Sequence, residues 1–347
     1  MIDLYVDPGH ATVTPDGSQA HPYKTVQAAY AIDAGAYIDV EGTRTLTDDT
    51  TVHCYRTGGA SQSFIGATAN EPVDLGGYSF TVINESTEPY YLVTWDSGGT
   101  SRNIWNSPAV TRWVGVHFED TDIRDTSSLR SITMAVNFGR WSGLTVTHDS
   151  CRFSGGGIEA MIYMNEDFTA VFNNCVFEGR WLYDSETWTG GAGGMIYVRR
   201  GTVQLNNCTF VNVTSYGIDS HSAATVLLRN SYIGTGGNGV CCATLPGTFT
   251  VTTSAISDAS SAVSGITQNV SQASCNFESL TLGAADIRTT TGSALHDAGT
   301  NIGPTGTEVV TYTDDHFGTE RDSLWDIGAF EFAVVDTVPM PQYIYGA

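Results

Sequence analysis

Asn206-Asn-Cys-Thr-Phe210 decides the fold, because the chain repeats it. Asp149-Ser-Cys-Arg-Phe153 and Asn173-Asn-Cys-Val-Phe177 precede it, and Arg229-Asn-Ser-Tyr-Ile233 follows. The four align without gaps, at spacings of 24, 33 and 23 residues. Thr252-Thr-Ser-Ala-Ile256 extends the series by another 23, and Trp113-Val-Gly-Val-His-Phe118 begins it. Cys151, Cys175, Cys208, Ser231 and Ser254 share a small-residue position, and Phe153, Phe177, Phe210, Ile233 and Ile256 a large apolar one two residues later. Period two puts both positions on one inward strand face. Ser150, Asn174, Asn207 and Asn230 come just before the small residue and are expected at a bend, where stacked polar side chains can bond neighbouring backbone.

A second strand follows in each unit. Met161-Ile-Tyr-Met-Asn165 matches Met195-Ile-Tyr-Val-Arg199, then Gly217-Ile-Asp-Ser-His221, then Gly239-Val-Cys-Cys-Ala243, which makes Ile162, Ile196, Ile218 and Val240 an inward ladder. A unit this short cannot bury its apolar face alone, but stacked units bury it continuously. The pattern predicts an all-β chain: a single-stranded right-handed parallel β-helix of roughly nine to twelve coils. The 33-residue spacing predicts an inserted loop of about ten residues. Leucine-rich, WD40 and calcium-binding nonapeptide repeats do not fit the sequence.

Composition agrees. The chain has 347 residues, with 38 Gly and only 15% charged residues, too apolar for disorder and too glycine-rich for a helical bundle. Thirty-seven acids against fifteen bases give a net charge of −22, which argues against nucleic-acid binding and against anionic glycans unless a divalent cation bridges them. Lys24 is the only lysine. No run of 18 apolar residues exists, so no membrane insertion is expected. Residues 1–12 have neither a basic start nor an apolar core, and are read as lacking a secretory signal. Seven cysteines without CxxC spacing fit neither a disulfide scaffold nor a zinc ribbon. Cys151, Cys175 and Cys208 are read as small packing residues, and His148 as external.

Near the start, Thr25-Val-Gln-Ala-Ala-Tyr-Ala-Ile-Asp33 has an N-cap and one apolar stripe, and predicts a short helix capping the open core. The boundaries that follow are 1–40 for strand and capping helix, 41–332 for the β-helix, and 333–347 for a tail. Tyr5 to Pro8, Asp16-Gly17 and Pro22 to Ala29 resemble the opening segment of pectate-lyase-like right-handed β-helix proteins. Asp326-Ile-Gly-Ala-Phe-Glu-Phe332 looks like the closing motif of the same superfamily. The resemblance implies the fold and leaves the activity open, since the superfamily holds lyases, hydrolases, adhesins and viral spikes.

If Ile162, Ile196 and Ile218 point inward, then Tyr163, Tyr197 and Asp219 point outward, as do Asn165, Arg199 and His221, forming one exterior patch across coils about 4.8 Å apart. The inserted loop adds Trp181, Tyr183, Asp184, Glu186 and Trp188. Aromatic rings beside carboxylates suit a sugar ring, and paired carboxylates suit glycosidic hydrolysis. Arg199, Asp219 and His221 are the candidate catalytic residues. Tyr163, Asn165, Tyr197 and the five loop residues are the candidate glycan-binding residues. The plainer reading makes all of them ordinary outward residues of a parallel sheet. No Asn-Thr-Asp, Asp-Asp with Gly-His-Gly, or Arg-x-Lys motif is present, and Lys24 leaves no lysine base for lyase chemistry. Glu119-Asp-Thr-Asp122 with Asp125, and Asp314-Asp315 with Glu320 and Asp322, are read as solvated turns. No organic cofactor or metal is expected, with calcium the one addition these acids could hold.

The functional expectation is a structural or glycan-binding β-helix on a phage virion surface (spike, fibre or capsid decoration). It would be extracellular and non-catalytic, with a host cell-surface glycan and other virion proteins as partners. Phage β-helices often trimerise, so a homotrimer is the oligomer expected by analogy. The alternative is an extracellular polysaccharide lyase or glycoside hydrolase. A bacterial surface adhesin is a third reading.

Overall fold

The structure is a computed structural model. It describes residues 1–11, 14–26, 29, 44–45, 48–57, 62–64, 73–74, 79–86, 90–95, 111–120, 133–137, 145–155, 160–164, 167–179, 194–213, 216–235, 240–243, 248–257, 268–281, 285–302, 314–317, 319–322 and 324–332. Among them the chain is all-β and dominated by two parallel sheets, one of 12 strands and one of 9, called here the long and the short sheet. Such sheets are compatible with a β-helix or solenoid.

Successive passages of chain lay one strand on each sheet. Thr145–Asp149, Thr169–Asn173, Gly194–Asn206, Tyr216–Arg229 and Thr248–Thr252 lie side by side in the long sheet. Arg152–Gly155, Val176–Gly179, Thr209–Val213, Tyr232–Thr235 and Ala255–Ile256 follow them in the short one. Between each pair the backbone turns at one left-handed residue: Ser150, Asn174, Asn207, Asn230 and Thr253 have φ of 49°, 52°, 50°, 50° and 44°. Asparagine tolerates this conformation because its short amide bonds locally. Here the amide bonds along the stack, Asn230 Nδ2 donating to Asn207 Oδ1 at 2.8 Å.

The small residue after each turn bonds the carbonyls that the corner leaves over. Cys175 Sγ lies 3.3 Å from the carbonyls of both Asn173 and His148, and Cys208 Sγ 3.4 Å from those of Asn206 and Phe172. Ser231 Oγ donates to Arg229 O at 2.8 Å. The sulfur and hydroxyl positions are therefore interchangeable weak donors in one place, which explains Cys giving way to Ser along the ladder. The five cysteines described in full are free and buried.

Inside, identical rings stack. Phe118, Phe153, Phe177 and Phe210 pair in register with centroids 5.1, 4.9 and 4.2 Å apart and planes within 12°. Each such pair adds roughly 0.5–1.5 kcal/mol beyond the area it buries. The long sheet faces them with Val146, Phe172, Leu205 and Leu228.

Three expectations need correction. His148 is not external. It pairs in register with Trp113 and Phe172 and is completely buried, stacked 4.7 Å from the Phe172 ring. Alternation puts it inward, two residues after Val146. The ladder Ile162, Ile196, Ile218 is buried as expected, but its next member is Cys242, with Val240 opposite Tyr216. A two-residue shift keeps the strand face, so the sequence match could not detect it. The N-terminal capping helix is not found among the described elements. Of its expected span only Thr25, Val26 and Ala29 are described: Val26 and Ala29 are buried, and one Ala29 N–H to Thr25 carbonyl bond of 3.2 Å makes a single turn. The rest lies outside the described residues.

A third layer was not foreseen. The C-terminal segment, mostly irregular, covers the outer face of the short sheet. Ala285, Ile287, Ala329 and Phe330 pack on Val176 and Val211, while Val270, Cys275, Leu295 and Ile327 pack on Tyr232 and Ala255. The closing motif makes the closest approach. Gly328 N–H donates to Asn230 O at 2.9 Å, and Ala329 N–H to Thr209 Oγ1 at 2.8 Å. Gly328 has φ +109°, and a Cβ there would stand 2.5 Å from Thr209 Oγ1, so only glycine fits. Arg321 is buried beneath it, bonding Gly328 O at 2.9 Å, Glu331 at 3.0 Å and Asn174 Oδ1 at 3.3 Å.

Two predictions follow from the stack. Asn207→Ala should lose about 1–3 kcal/mol, from left-handed strain plus a buried hydrogen bond, and Asn207→Gly clearly less. Urea unfolding of the two variants checks this, and equal losses would show that φ is not the constraint. Burial holds His148 down to about 3 against an ordinary 6.5, so the unfolded chain takes up a proton that the folded one refuses between those values. Stability from this residue is complete above pH 6.5 and drains as pH falls towards 3, at up to roughly 1.4 kcal/mol per pH unit. His148→Phe should flatten that acid limb; an unchanged limb would place the ring in solvent.

Candidate functional site

The strands Gly194–Asn206 and Tyr216–Arg229 run parallel in the long sheet. Ile196 and Val198 on one, and Ile218 and Ser220 on the other, point into the core and are fully buried. Alternation turns Tyr197, Arg199, Asp219 and His221 outward. The register sets Tyr163, Tyr197, Asp219 and Ala243 in one row across four strands. Tyr163 is placed by its backbone alone. The register then slips: Val198 faces Ser220 but Arg200 faces Ala223, so the second strand carries one extra residue just beyond Asp219. Such a bulge re-aims the side chains beside it. His221 stands edge-on to Tyr197, with ring centroids 5.6 Å apart and planes at 79°.

Tyr197, Asp219 and His221 are therefore brought together. Arg199 is exposed on the strand of Tyr197. Asn165, Trp181, Tyr183, Asp184, Glu186 and Trp188 lie outside the described residues. Asp219 is the unusual member. It is only 2% exposed although it sits on the outer face, and its Oδ1 has no hydrogen-bond partner among the described residues. Burial raises its carboxyl above the ordinary carboxylate range, with the His221 charge pulling the other way. It lies beside the His221 imidazole and in register with Tyr197.

The acidic stretches do other work. Asp315 is buried rather than solvated. Its carboxylate accepts the N–H groups of Phe317 and Thr319, each at 2.8 Å, and of Glu331 at 3.2 Å, tying the C-terminal segment to itself. Asp322 accepts Leu324 N–H at 2.6 Å. The ligand atoms of His296, Asp297 and Asp326 fall within 4.8 Å of one another. Asp326 already accepts the N–H groups of Asp297 at 2.7 Å and Phe332 at 2.6 Å, so it serves as a turn clasp. Of the first stretch, Asp122 and Asp125 lie outside the described residues.

Sequence reasoning passed over Tyr5, His53 and Tyr55, whose rings gather on the outer face of the long sheet at its N-terminal edge. Their signal was present: Tyr5 and His53 both alternate with buried neighbours, Leu4 and Val6 on one strand, Val52 and Cys54 on the other.

Set against known proteins, the chain matches no family model and no curated relative.

The raised Asp219 carboxyl has a consequence for stability. A raised acid costs the folded state wherever the unfolded group is ionised, so this cost is absent at low pH and appears as pH rises through the ordinary carboxylate range. Asp219→Asn should therefore be at least as stable as wild type at pH 7 and gain relative to it between pH 4 and 7. Chemical denaturation across that range checks it. A variant markedly less stable at pH 7 would make Asp219 a structural hydrogen-bonding residue instead.

Proposed function

We propose that the chain is a right-handed parallel β-helix of pectate-lyase-like type whose long sheet offers a glycan-binding surface. The parallel crossovers between adjacent strands support the right hand, because a right-twisted strand packs its return connection that way. The single observation carrying the functional reading is the row of Tyr197, Asp219 and His221 on one outer face: a ring, a buried carboxyl whose Oδ1 has no hydrogen-bond partner among the described residues, and an imidazole, across two adjacent strands. A pyranose needs an apolar platform with hydrogen-bonding groups at its rim, and this arrangement supplies both. Tyr163, Asn165 and the Trp181, Tyr183, Asp184, Glu186, Trp188 loop complete the proposed surface.

We place such a surface on the outside of a virion, as spike, fibre or capsid decoration, in contact with a host glycan. Recognition without cleavage is the reading preferred. Among the described residues no second carboxylate joins Asp219 in that row, as hydrolysis between paired acids requires. A homotrimer and a calcium ion bridging acidic glycans belong to the same proposal. The second reading is a polysaccharide lyase or glycoside hydrolase. It is favoured by one observation, the raised Asp219 carboxyl beside His221, with Arg199 two residues beyond Tyr197 on the adjacent strand.

Incubation with neutral and anionic polysaccharides, with and without calcium, separates the two. Calorimetry reads binding, while reducing ends and unsaturated uronates read cleavage. The expected result is binding without cleavage, weakened roughly tenfold by Tyr197→Ala, the value of about 1.4 kcal/mol for a lost ring contact. Cleavage abolished by Asp219→Asn, Arg199→Ala or His221→Ala would establish the enzyme instead. Equal affinity in Tyr197→Ala and wild type would remove the binding surface.

A further inference from the structure

The N-terminal strands of the long sheet carry a second exterior surface of different chemistry. Ile2–Val6, Thr50–Cys54 and Phe80–Asn84 pair in parallel, with Leu4, Val52 and Val82 in one inward row. The next row faces outward and reads Tyr5, His53, Ile83 in register. Tyr55 and Glu85 each follow two residues later on their own passages of chain, and Asp3 precedes Tyr5 by two. The Tyr5 ring lies 5.0 Å from His53 and 6.4 Å from Tyr55, within 20° and 17° of parallel. His53 is held between two acids, Nδ1 at 3.0 Å from Glu85 Oε1 and Nε2 at 3.3 Å from Asp3 Oδ1. The acids keep contact with solvent, with side chains 51% exposed for Asp3 and 37% for Glu85. Tyr5, Tyr55 and Ile83 are half-exposed.

This face differs from the outer face of the short sheet, which the C-terminal segment covers. Of the cations around it, Arg56 directs Nη1 to Tyr90 O at 3.3 Å. The N-terminal ammonium is taken by Asp48 at 2.6 Å, and Arg112 on the next strand is tied to Asp149 at 2.7 Å. Two tyrosine rings and an isoleucine thus lie beside two partly exposed carboxylates, each sharing one oxygen with His53, on a chain of net charge −22.

We propose that this face docks an arginine-bearing segment of a partner protein. The charge complementarity selects a cation, and the rings select a planar one. A guanidinium stacks on a tyrosine face and at the same time forks two N–H groups to a carboxylate. An ammonium offers a point charge and keeps its water more tightly. A uronate would be repelled by Asp3 and Glu85. The proposal is independent of the glycan surface, which lies on other strands.

The test uses the full chain and a labelled Gly-Arg repeat hexapeptide, with its Gly-Lys counterpart, followed by fluorescence anisotropy at low and near-physiological salt. The arginine peptide should bind more tightly than the lysine one. Tyr55→Leu, which leaves net charge unchanged, should weaken binding roughly fivefold or more, in the range of a desolvated cation–ring contact. Glu85→Gln should do the same, and serves if Tyr55→Leu fails to fold. Glu278→Gln, exposed elsewhere, removes an equal charge and should change affinity less than about twofold, as a distant screened charge does. Equal effects of Glu85→Gln and Glu278→Gln with none from Tyr55→Leu would reduce the attraction to the general acidic field and overturn the proposal. So would equal binding of both peptides, no binding, or displacement of the peptide by neutral oligosaccharides.

Discussion

Everything described here depends on one corner. Between Thr145 and Ile256, each passage from long sheet to short sheet asks one residue to adopt a left-handed backbone, and the residue after it to be small and able to donate a weak hydrogen bond inward. Five corners in succession meet that requirement with Ser, Asn, Asn, Asn and Thr, followed by Cys, Cys, Cys, Ser and Ser. Because these five corners are alike, the strands on either side fall in register, and phenylalanine stacks on phenylalanine. The cysteines therefore have a mechanical explanation. Their thiols satisfy corner carbonyls in the core, and burial pushes the Cys175 thiol well above the ordinary range, away from reactive thiolate.

The corner also determines what the outside can do. Asn174 and Asn230 turn toward the C-terminal segment as well as toward their neighbours. Asn174 Nδ2 donates to Asp314 O at 2.9 Å and Asn230 Nδ2 to Asp326 O at 3.0 Å. The segment lies along that line of amides and seals the short sheet. Both proposed recognition surfaces lie on the outer face of the long sheet, with Tyr197, Asp219 and His221 at one place and Tyr5, His53 and Tyr55 at another. A parallel sheet covered on only one side is uncommon, because parallel strands usually bury both faces. Among the described residues the short sheet obeys the rule, and the long sheet keeps partly exposed side chains on its outer face.

The repeat was legible because its period is short and its corner residues are chemically distinctive. Phe153, Phe177 and Phe210 could be placed from spacing alone. The errors arose where the match was carried by parity rather than identity. Val240 and Cys242 sit on the same face, so pattern could not choose between them. His148 was misplaced although it occupies the position of Phe172, Leu205 and Leu228, because a histidine was weighed by its polarity instead of its register. The third layer had a signal too. Thr209-Phe-Val-Asn-Val213 is apolar on both faces, which a strand wet on one side has no reason to be. The closing motif could be recognised by resemblance, but what Gly328 does against Thr209 required the structure. The Tyr197, Asp219 and His221 row followed from alternation, whereas the bulge beside it and the burial of Asp219 did not.

The most direct test of this account is amide hydrogen exchange over the whole folded chain, because the central claim is that corner, stack and C-terminal segment form one sealed body. The account predicts that Thr209–Val213 and Tyr232–Thr235 share slow, common exchange with the amides of Ile327, Gly328 and Ala329, of which Gly328 and Ala329 are hydrogen-bonded across that interface and Ile327 to Leu295 O within the C-terminal segment. If those three amides exchange at the rate of a free chain while the strands stay protected, the C-terminal segment does not seal the short sheet. The assignment of the recognition surfaces to the long sheet would then lose its basis.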